Sequence, residues 1–392
     1  PPPRRAATDA AMGGAGVAPR NKRFVNTMNP ASATARDSLS FMADFGLSGK
    51  ASLFKDGDLK GTKTLFNIND FVISFPMWRR TAFMVGIQPF SDTGFSLSYI
   101  DKITSGEQSI GYTGNRAYGA AGDGGLNQFF AGASALLWNR LSIGAQYNLF
   151  FGTISKYSQS QFTDASYRGQ TMGDTLQVRA HSAKFGLQYE QPVGAAGKFV
   201  LGATYRLKAK VTGHAIEYSN VAELDLGTHD LAKDNIRLGD EIGLGLAYNQ
   251  GDKWSLELDY LRSDWSDSNF DLVRGFRNNG VHAFTTSTAQ SLKAGFEITP
   301  NRNDIRYFLR RCTYRLGAYM DQSYYQVDGK NIMSAGVTLG MTVPVFQGYN
   351  GITFAIDLGQ RGFGSNFVKE NYLGFHVGFN IFDIWFRKPQ YQ

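Results

Sequence analysis

The side chains best suited to metal binding or proton transfer are five histidines, His181, His214, His229, His282 and His376, and they show no metal-ligand spacing. The single cysteine, Cys312, cannot complete a thiolate set or a disulfide framework. Gly14-Ala15-Gly16 and Gly243-Leu244-Gly245 do not extend into G-x-G-x-x-G, and there is no G-x-S-x-G and no P-loop. No catalytic residue, metal or cofactor is therefore expected, and a non-enzymatic role follows. What remains is binding chemistry. Arg206, Lys208 and Lys210 alternate along one segment, a spacing that puts three cations on one face of a strand. Such a row would hold the carboxylate head group of an amphiphile, or pair with acids such as Glu257 and Asp259; both readings stay open. Phe162, Tyr167, Phe270, Phe276 and Phe284 fall between periodic segments, where they would form either an apolar entry site or the cores of long loops.

The elements that must carry these residues have a period of two. From Leu39 to Leu53 the odd positions are Leu39, Phe41, Ala43, Phe45, Leu47, Gly49, Ala51 and Leu53, with Ser40, Met42, Asp44, Gly46, Ser48, Lys50 and Ser52 between them. The same pattern runs through Leu141–Leu149, Phe199–Ala209, Trp254–Tyr260, Ile352–Leu358 and Leu373–Ile381, where His376 falls on the polar face as a hydrogen-bonding residue. Such segments number about 14, near 38–54, 65–75, 80–101, 125–137, 140–156, 174–190, 197–212, 234–249, 253–262, 286–299, 309–322, 331–343, 350–361 and 370–386. In the sixth, the apolar parity switches from Leu176, Val178 and Ala180 to Ala183, Phe185 and Leu187, which predicts a β-bulge near Ser182. The connections alternate between short ones, such as Trp138-Asn139 and Gln250–Asp252, and long ones, such as Lys102–Gly124 and Ser263–Thr285.

Composition says which solvent the apolar face meets. The 392 residues include 45 glycines, 14% aromatics and only 19% charged residues. The longest near-apolar stretch, Phe129–Trp138, is about half the length a membrane helix needs. The net charge of +7 is spread without a basic block, which argues against nucleic acid as a partner. The apolar runs match the roughly 9–11 residues that take a tilted strand across a bilayer, whereas strands of soluble sandwiches average about 5–6. Aromatics stand near segment ends as interfacial belts would: Trp78, Tyr99, Trp138, Tyr189, Trp254, Tyr260, Tyr372, Trp385 and Phe386. The opposite face carries Asp44, Lys50, Asp70, Lys184, Arg206, Lys208, Glu257, Asp259, Lys293, Glu297, Arg315, Asp357 and Arg361. Burying so many charges in a compact core would cost several kcal/mol apiece, whereas a wet or plugged lumen accommodates them. The fold expected is all-β: a 14-stranded antiparallel transmembrane β-barrel over residues 37–392, in the bacterial outer membrane, with both termini periplasmic. The chain opens Pro1-Pro2-Pro3 with no apolar leader, which does not say whether one was removed.

Residues 1–36 lack the period. Their small-residue run Ala11-Met12-Gly13-Gly14-Ala15-Gly16-Val17-Ala18, followed by Asn29-Pro30-Ala31-Ser32 just before the first strand, resembles the FadL family of hydrophobic-compound transporters. The strand number fits, and the ending Arg387-Lys388-Pro389-Gln390-Tyr391-Gln392 beyond Trp385-Phe386 looks like barrels of Bacteroidota. The resemblance implies an N-terminal hatch plugging the barrel, with Asn29, Pro30 and Ala31 in it, and a kink in the third strand that opens the wall sideways. Here Gln88-Pro89-Phe90-Ser91-Asp92-Thr93-Gly94 interrupts that strand, since proline cannot donate to a ladder; Pro89, Phe90, Asp92 and Gly94 are the expected kink, unless this is an ordinary rim bulge. The implied function is passive transport of hydrophobic compounds such as long-chain fatty acids, by loop capture, hatch movement and lateral exit. Its partners would be an apolar small molecule in the lumen and outer-membrane lipid. FadL-like barrels also include non-transport members such as the PorV-type secretion component. The second reading is therefore an accessory or structural subunit of an outer-membrane secretion or assembly machine, bound to other outer-membrane proteins.

Overall fold

In a computed structural model of the chain, the described residues are 6–37, 40–56, 59–103, 114–164, 166–220, 225–270, 273, 284–345, 350–363 and 369–384. Their strands close into a 14-stranded antiparallel barrel. In chain order these are β1 (Ser40–Asp56), β2 (Leu59–Trp78), β3 (Thr81–Asp92 and Phe95–Ile103), β4 (Gly114–Leu137), β5 (Leu141–Phe162), β6 (Gln170–Val193) and β7 (Gly197–Arg206 and Ala209–Ser219). Then come β8 (Asp225–Asp230, Arg237–Leu238 and Asp240–Gln250), β9 (Trp254–Asp264), β10 (Phe284–Thr286 and Thr288–Ile298), β11 (Thr313–Val327), β12 (Lys330–Pro344), β13 (Gly351–Phe363) and β14 (Lys369–Ile384). The barrel closes between β1 and β14, from Ser40↔Ile384 to Lys55↔Lys369, so the first and last strands meet the rim at the short-turn end. No helix among the described residues is long and apolar enough to cross a membrane. Closure satisfies the backbone of strands that face hydrocarbon and removes free edges, except between β2 and β3 beyond Phe71↔Ile87, where no pairing is seen among the described residues.

Outward positions form a continuous apolar surface. One row passes from Tyr189 to Leu201, Leu246, Leu258, Ala294, Ala318, Val337, Leu358, Leu373 and Ala51, each the direct ladder partner of the next. A soluble protein would not present such a girdle, and lipid is the solvent that suits it. Toward the short turns it is bordered by Trp78 and Trp138, both largely exposed, and by the ring series Phe199, Tyr248, Trp254 and Phe296, with successive centroids 4.8, 5.2 and 6.2 Å apart. Leu258→Arg places a cation in this band, and a loss of about 2–4 kcal/mol is expected in unfolding from lipid vesicles. Tyr372 does not belong to the belt. It shares the inward parity of its neighbours on β14 and is buried in the lumen. Trp385 and Phe386 lie outside the described residues.

The parity switch in the sixth strand has a different origin from the bulge expected at Ser182. β6 pairs with β5 without a slip from Gln170 to Tyr189. Its even residues Leu176, Val178 and Ala180 point inward to an apolar cluster, while Gln177, Arg179 and His181 face out. From Ala183 toward the short turn, Phe185, Leu187 and Tyr189 face out. The strand thus leaves the lipid band near Ser182, and beyond it the apolar face is the inner one. The extra residue sits across the ladder on β7: Lys184 pairs with Arg206 but Ala180 with Val211, so one residue bulges out at Leu207-Lys208. Beyond this level β4, β5 and β6 continue as strands where loops were expected, to Gly114, Phe162 and Gln170.

Candidate functional site

Residues 6–36 lie within the barrel, in its short-turn half, and most are fully buried. They comprise one helical turn, α1 (Ala7–Ala11), and a 3-10 turn, Pro30–Ala35. Asn29 and Pro30 start the latter: Asn29 Oδ1 accepts from the Ala31 amide at 3.0 Å, and proline fits the position whose amide would have no partner. Asn29 Nδ2 donates to the Val17 carbonyl at 2.8 Å and the Leu187 carbonyl at 3.2 Å, tying the segment to itself and to β6. Ala31 is wholly buried, and its carbonyl accepts from Ser142 on β5.

The wall supplies charged and polar anchors for the segment's backbone. Asp259 Oδ2 accepts from the amides of Gly16 at 2.6 Å and Val17 at 2.8 Å. Thr338 accepts from Gly13 and donates to Ala11. Gln188 donates to the carbonyls of Val17 and Ala18, and Asp44 accepts from the Val25 amide. Burial lowers the pKa of the Arg20 guanidinium, partly offset by Glu190 at 3.7 Å. Between the anchors the lumen wall is glycine. A Cβ on Gly144 would stand 2.5 Å from the Pro30 carbonyl carbon, on Gly295 2.8 Å from the Met12 carbonyl oxygen and on Gly378 2.8 Å from Ala7 Cβ; Gly186, Gly202, Gly317 and Gly340 are tighter still. Much of the chain's glycine is thus the room the inner segment occupies. Glycines at polar-face positions such as Gly144, Gly202 and Gly378 were the available signal, visible in the sequence but without meaning until something was known to fill the lumen.

The other notable feature is a seam in the wall. Among the described residues the β2–β3 ladder runs only from Phe71↔Ile87 to Trp78↔Thr81. Beyond it, β2 follows β1 from Asp70 to Leu59, while β3 follows β4, with a slip between Pro89 and Ser91 and a break at Thr93-Gly94. Lys63 and Leu65 on β2 face Gly94 across the seam, and Phe66 and Ile68 are exposed on the outer side.

Three cavities adjoin the seam on its inner side, and Phe90 and Ser91 line all of them. One, of about 290 Å³, runs from Ala10, Gly13 and Gly14 of the inner segment to Lys63, Leu65 and Gly94. The second, about 390 Å³, extends toward Arg206, Glu241 and Lys293. The third, about 440 Å³, lies toward the long loops among Leu126, Ile154, Leu176, Val178, Leu238 and Trp265. Trp265 stacks on Tyr324 with ring centroids 4.3 Å apart, and Phe90 packs at a tilt against Phe150 with centroids 4.5 Å apart. On the first cavity's wall, Tyr319 donates to Asp357 at 2.7 Å and shares a proton contact with Tyr372, while Lys50 and Arg361 pair with Glu370. His376 also lines this cavity.

The cationic row does not survive folding. Arg206 faces the lumen, its guanidinium 5.1 Å from the Phe90 ring and 3.9 Å from Glu241. Lys208 and Lys210 face outward, and Lys208 pairs with Asp267, because the bulge at Leu207-Lys208 reverses the parity of β7. The loop aromatics divide likewise. Phe162 and Tyr167 pack together, Phe270 and Phe284 line the third cavity, and Phe276 lies outside the described residues. Among the described residues no cluster of three or more His, Cys, Asp or Glu side chains could hold a metal ion.

The fold has solved counterparts. The toluene transporter TbuX of Ralstonia pickettii superposes with a TM-score of 0.60 at 14% identity, over 96% of this chain and 98% of that one. The P. putida toluene transporter TodX gives 0.58 at 14% identity, over 98% and 99%. A Pseudomonas aeruginosa FadL homologue gives 0.57 at 11% identity, over 98% and 99%. At such identities the likeness establishes a FadL-like barrel. No curated protein matches in sequence. The profile that does match, that of BamG, covers residues 4–392, inner segment and barrel together, and the chain therefore belongs to the BamG family.

Proposed function

We propose that this protein is an outer-membrane barrel that takes up apolar compounds, long-chain fatty acids among them, from the long-loop side and releases them sideways into the bilayer through the β2–β3 seam. The observation that carries this reading is the convergence of three cavities on Phe90 and Ser91, directly behind the seam. The third cavity, lined by aliphatic and aromatic side chains, suits an alkyl or aryl body. In the second cavity, Arg206 and Lys184, each 3.9 Å from Glu241, offer a polar end group its partners. The inner segment, with Asn29, Pro30 and Ala31 wedged against β5 and β6, serves as a plug that closes the axial route. Pro89, Phe90, Asp92 and Gly94 shape the exit. Because the cavities lie above the plug, a lateral path needs no movement past it. The barrel scaffold shared with toluene transporters is compatible with this reading.

Trp265 offers a direct test, because it stands in the third cavity while Trp78, Trp138 and Trp254 lie near the short-turn rim. A brominated fatty acid is expected to quench a saturable component of tryptophan fluorescence that Trp265→Phe removes. Absence of that component would contradict the reading.

A second reading, an accessory subunit of an outer-membrane assembly or secretion machine, is favoured by one structural observation. Where β5, β6 and β7 rise beyond the lipid band, Tyr157 and Tyr218 flank Gly173 on the outer surface, both more than half exposed. An exposed aromatic patch on paired strands suits the footing of another protein. Purification in mild detergent separates the two: a stoichiometric outer-membrane partner that Tyr157→Ser/Tyr218→Ser releases would favour the subunit.

A further inference from the structure

The connection from β10 to β11, residues 299–312, carries more charge and more exposed apolar surface than a barrel turn requires. It holds Arg302, Arg306, Arg310 and Arg311 against a single acid, Asp304. Asp304 Oδ1 accepts from the amides of Arg306 and Tyr307, each at 2.8 Å, and the Asn301 amide donates to the Arg310 carbonyl at 2.8 Å. These bonds shape the turn and its helical tip, α2 (Phe308–Arg311), without burying its apolar side chains. Ile305 is fully exposed and Leu309 is 65% exposed, with Tyr307 and Phe308 about half exposed. The guanidinium groups of Arg306 and Arg310 lie 5.6 and 4.8 Å from the Tyr307 ring, and that of Arg311 lies 5.8 Å from the Phe308 ring, so charge and apolar surface form one patch.

We infer that this turn is a wedge for the glycerophospholipid leaflet: Ile305 and Leu309 enter the acyl region and the arginines bind anionic head groups. Two observations identify the occupant as lipid. The patch is continuous with the lipid-facing band, whose members Ile298 and Leu316 lie just beyond it on β10 and β11. Two other short turns bear the same sign of charge at the same rim, at Arg79-Arg80 and at Arg140, while those at Gly194–Ala196 and Asp252-Lys253 carry no net charge. Cations flanking an apolar wedge suit an anionic leaflet surface. The inference rests on the membrane placement proposed above but not on transport.

Phosphatidylglycerol titrated into the detergent-solubilised full chain, with bound lipid followed by native mass spectrometry, tests it. Apparent affinity is expected to fall about fivefold for each arginine removed in R306Q and R311Q and further in R306Q/R310Q/R311Q, with phosphatidylcholine bound weakly throughout. R237Q, near the other end of the barrel, should leave it unchanged. A bimane label at I305C, in a C312S background, should be quenched by phosphatidylglycerol with brominated acyl chains in nanodiscs. The inference is overturned if the triple variant binds phosphatidylglycerol like the parent, if the two lipids bind alike, or if the label is unquenched. It is equally overturned if a cross-linker at position 305 captures a co-purifying protein instead of lipid. None of these variants touches Trp265, so the cavity test stands or falls separately.

Discussion

Gly317→Val is expected to dislodge the plug and convert a closed barrel into an ion-conducting pore. A Cβ at Gly317 would fall on the amide nitrogen of Gly13 and the carbonyl carbon of Met12, and 2.6 Å from Thr338 Oγ1. The first two are backbone atoms of the plug, and they cannot swing aside as a side-chain end can. Overpacking of this kind costs about 1–3 kcal/mol in ordinary cores. Here the strained element is a segment rather than the barrel, so release of the plug is the easier relaxation. Asp259→Leu attacks the same segment by another route, leaving the buried amides of Gly16 and Val17 without their acceptor at about 1–3 kcal/mol each. The two variants act on neighbouring residues of one element, so their effects should be coupled rather than additive. Planar-bilayer recording is the measurement, with a chain lacking residues 1–36 as the fully open reference. The parent should be silent and both variants should show openings. If the shortened chain is itself silent, the segment is not what closes the barrel.

Gly94→Trp is expected to block lateral exit while leaving the barrel folded. Gly94 does not occupy the left-handed backbone region, so a side chain there is conformationally allowed. The atoms its Cβ would meet are Lys63 Nζ at 2.8 Å and Leu65 Cδ2 at 3.0 Å, both ends of flexible side chains across the seam. An indole at this position fills the space where the first cavity reaches the wall. Uptake of a fluorescent fatty acid into lipid vesicles containing the protein should fall by about tenfold or more, the loss expected when a passage through a close-packed wall is filled. Gly94 also lines the third cavity, so entry from the long-loop side is read on the quenched component that Trp265→Phe removes in the Gly94→Trp background, which should survive. Loss of both signals with the gel mobility of unheated protein altered would mean that the variant misfolds; with that mobility intact it would mean that the indole fills the third cavity too.

The strands were legible wherever one face meets lipid. Leu201, Leu246 and Leu258 alternate with polar residues because hydrocarbon and the lumen impose opposite demands on the two faces. Beyond the lipid band that contrast fades, and the Gly/Ala-rich start of β4 reads as a loop although it pairs residue by residue with β5. The bulge at Leu207-Lys208 could not be placed from one chain, because the residue that bulges is decided by the register against β6. That single residue turned Lys208 and Lys210 outward and left Arg206 alone in the lumen. Tyr372 misled for a simpler reason: an aromatic near a strand end suits a belt, but its parity with Glu370 puts it inside. The interruption just after Pro89 was visible because proline cannot donate to a ladder. The cavities behind it were not, since Phe90, Leu176, Leu238 and Trp265 come from four separate strands or their margins and are united only by barrel closure.

Photo-labelling with a diazirine fatty acid tests the central claim most directly, because it reports where an apolar molecule travels. With the protein in lipid vesicles and the label supplied from outside, adducts are expected on Phe90, Ser91 and Trp265 and on the seam residues Lys63 and Leu65, with those on Lys63 and Leu65 lost in Gly94→Trp. Adducts confined to the outer lipid-facing row of Leu201, Leu246 and Leu258, with none on the cavity walls, would contradict the account.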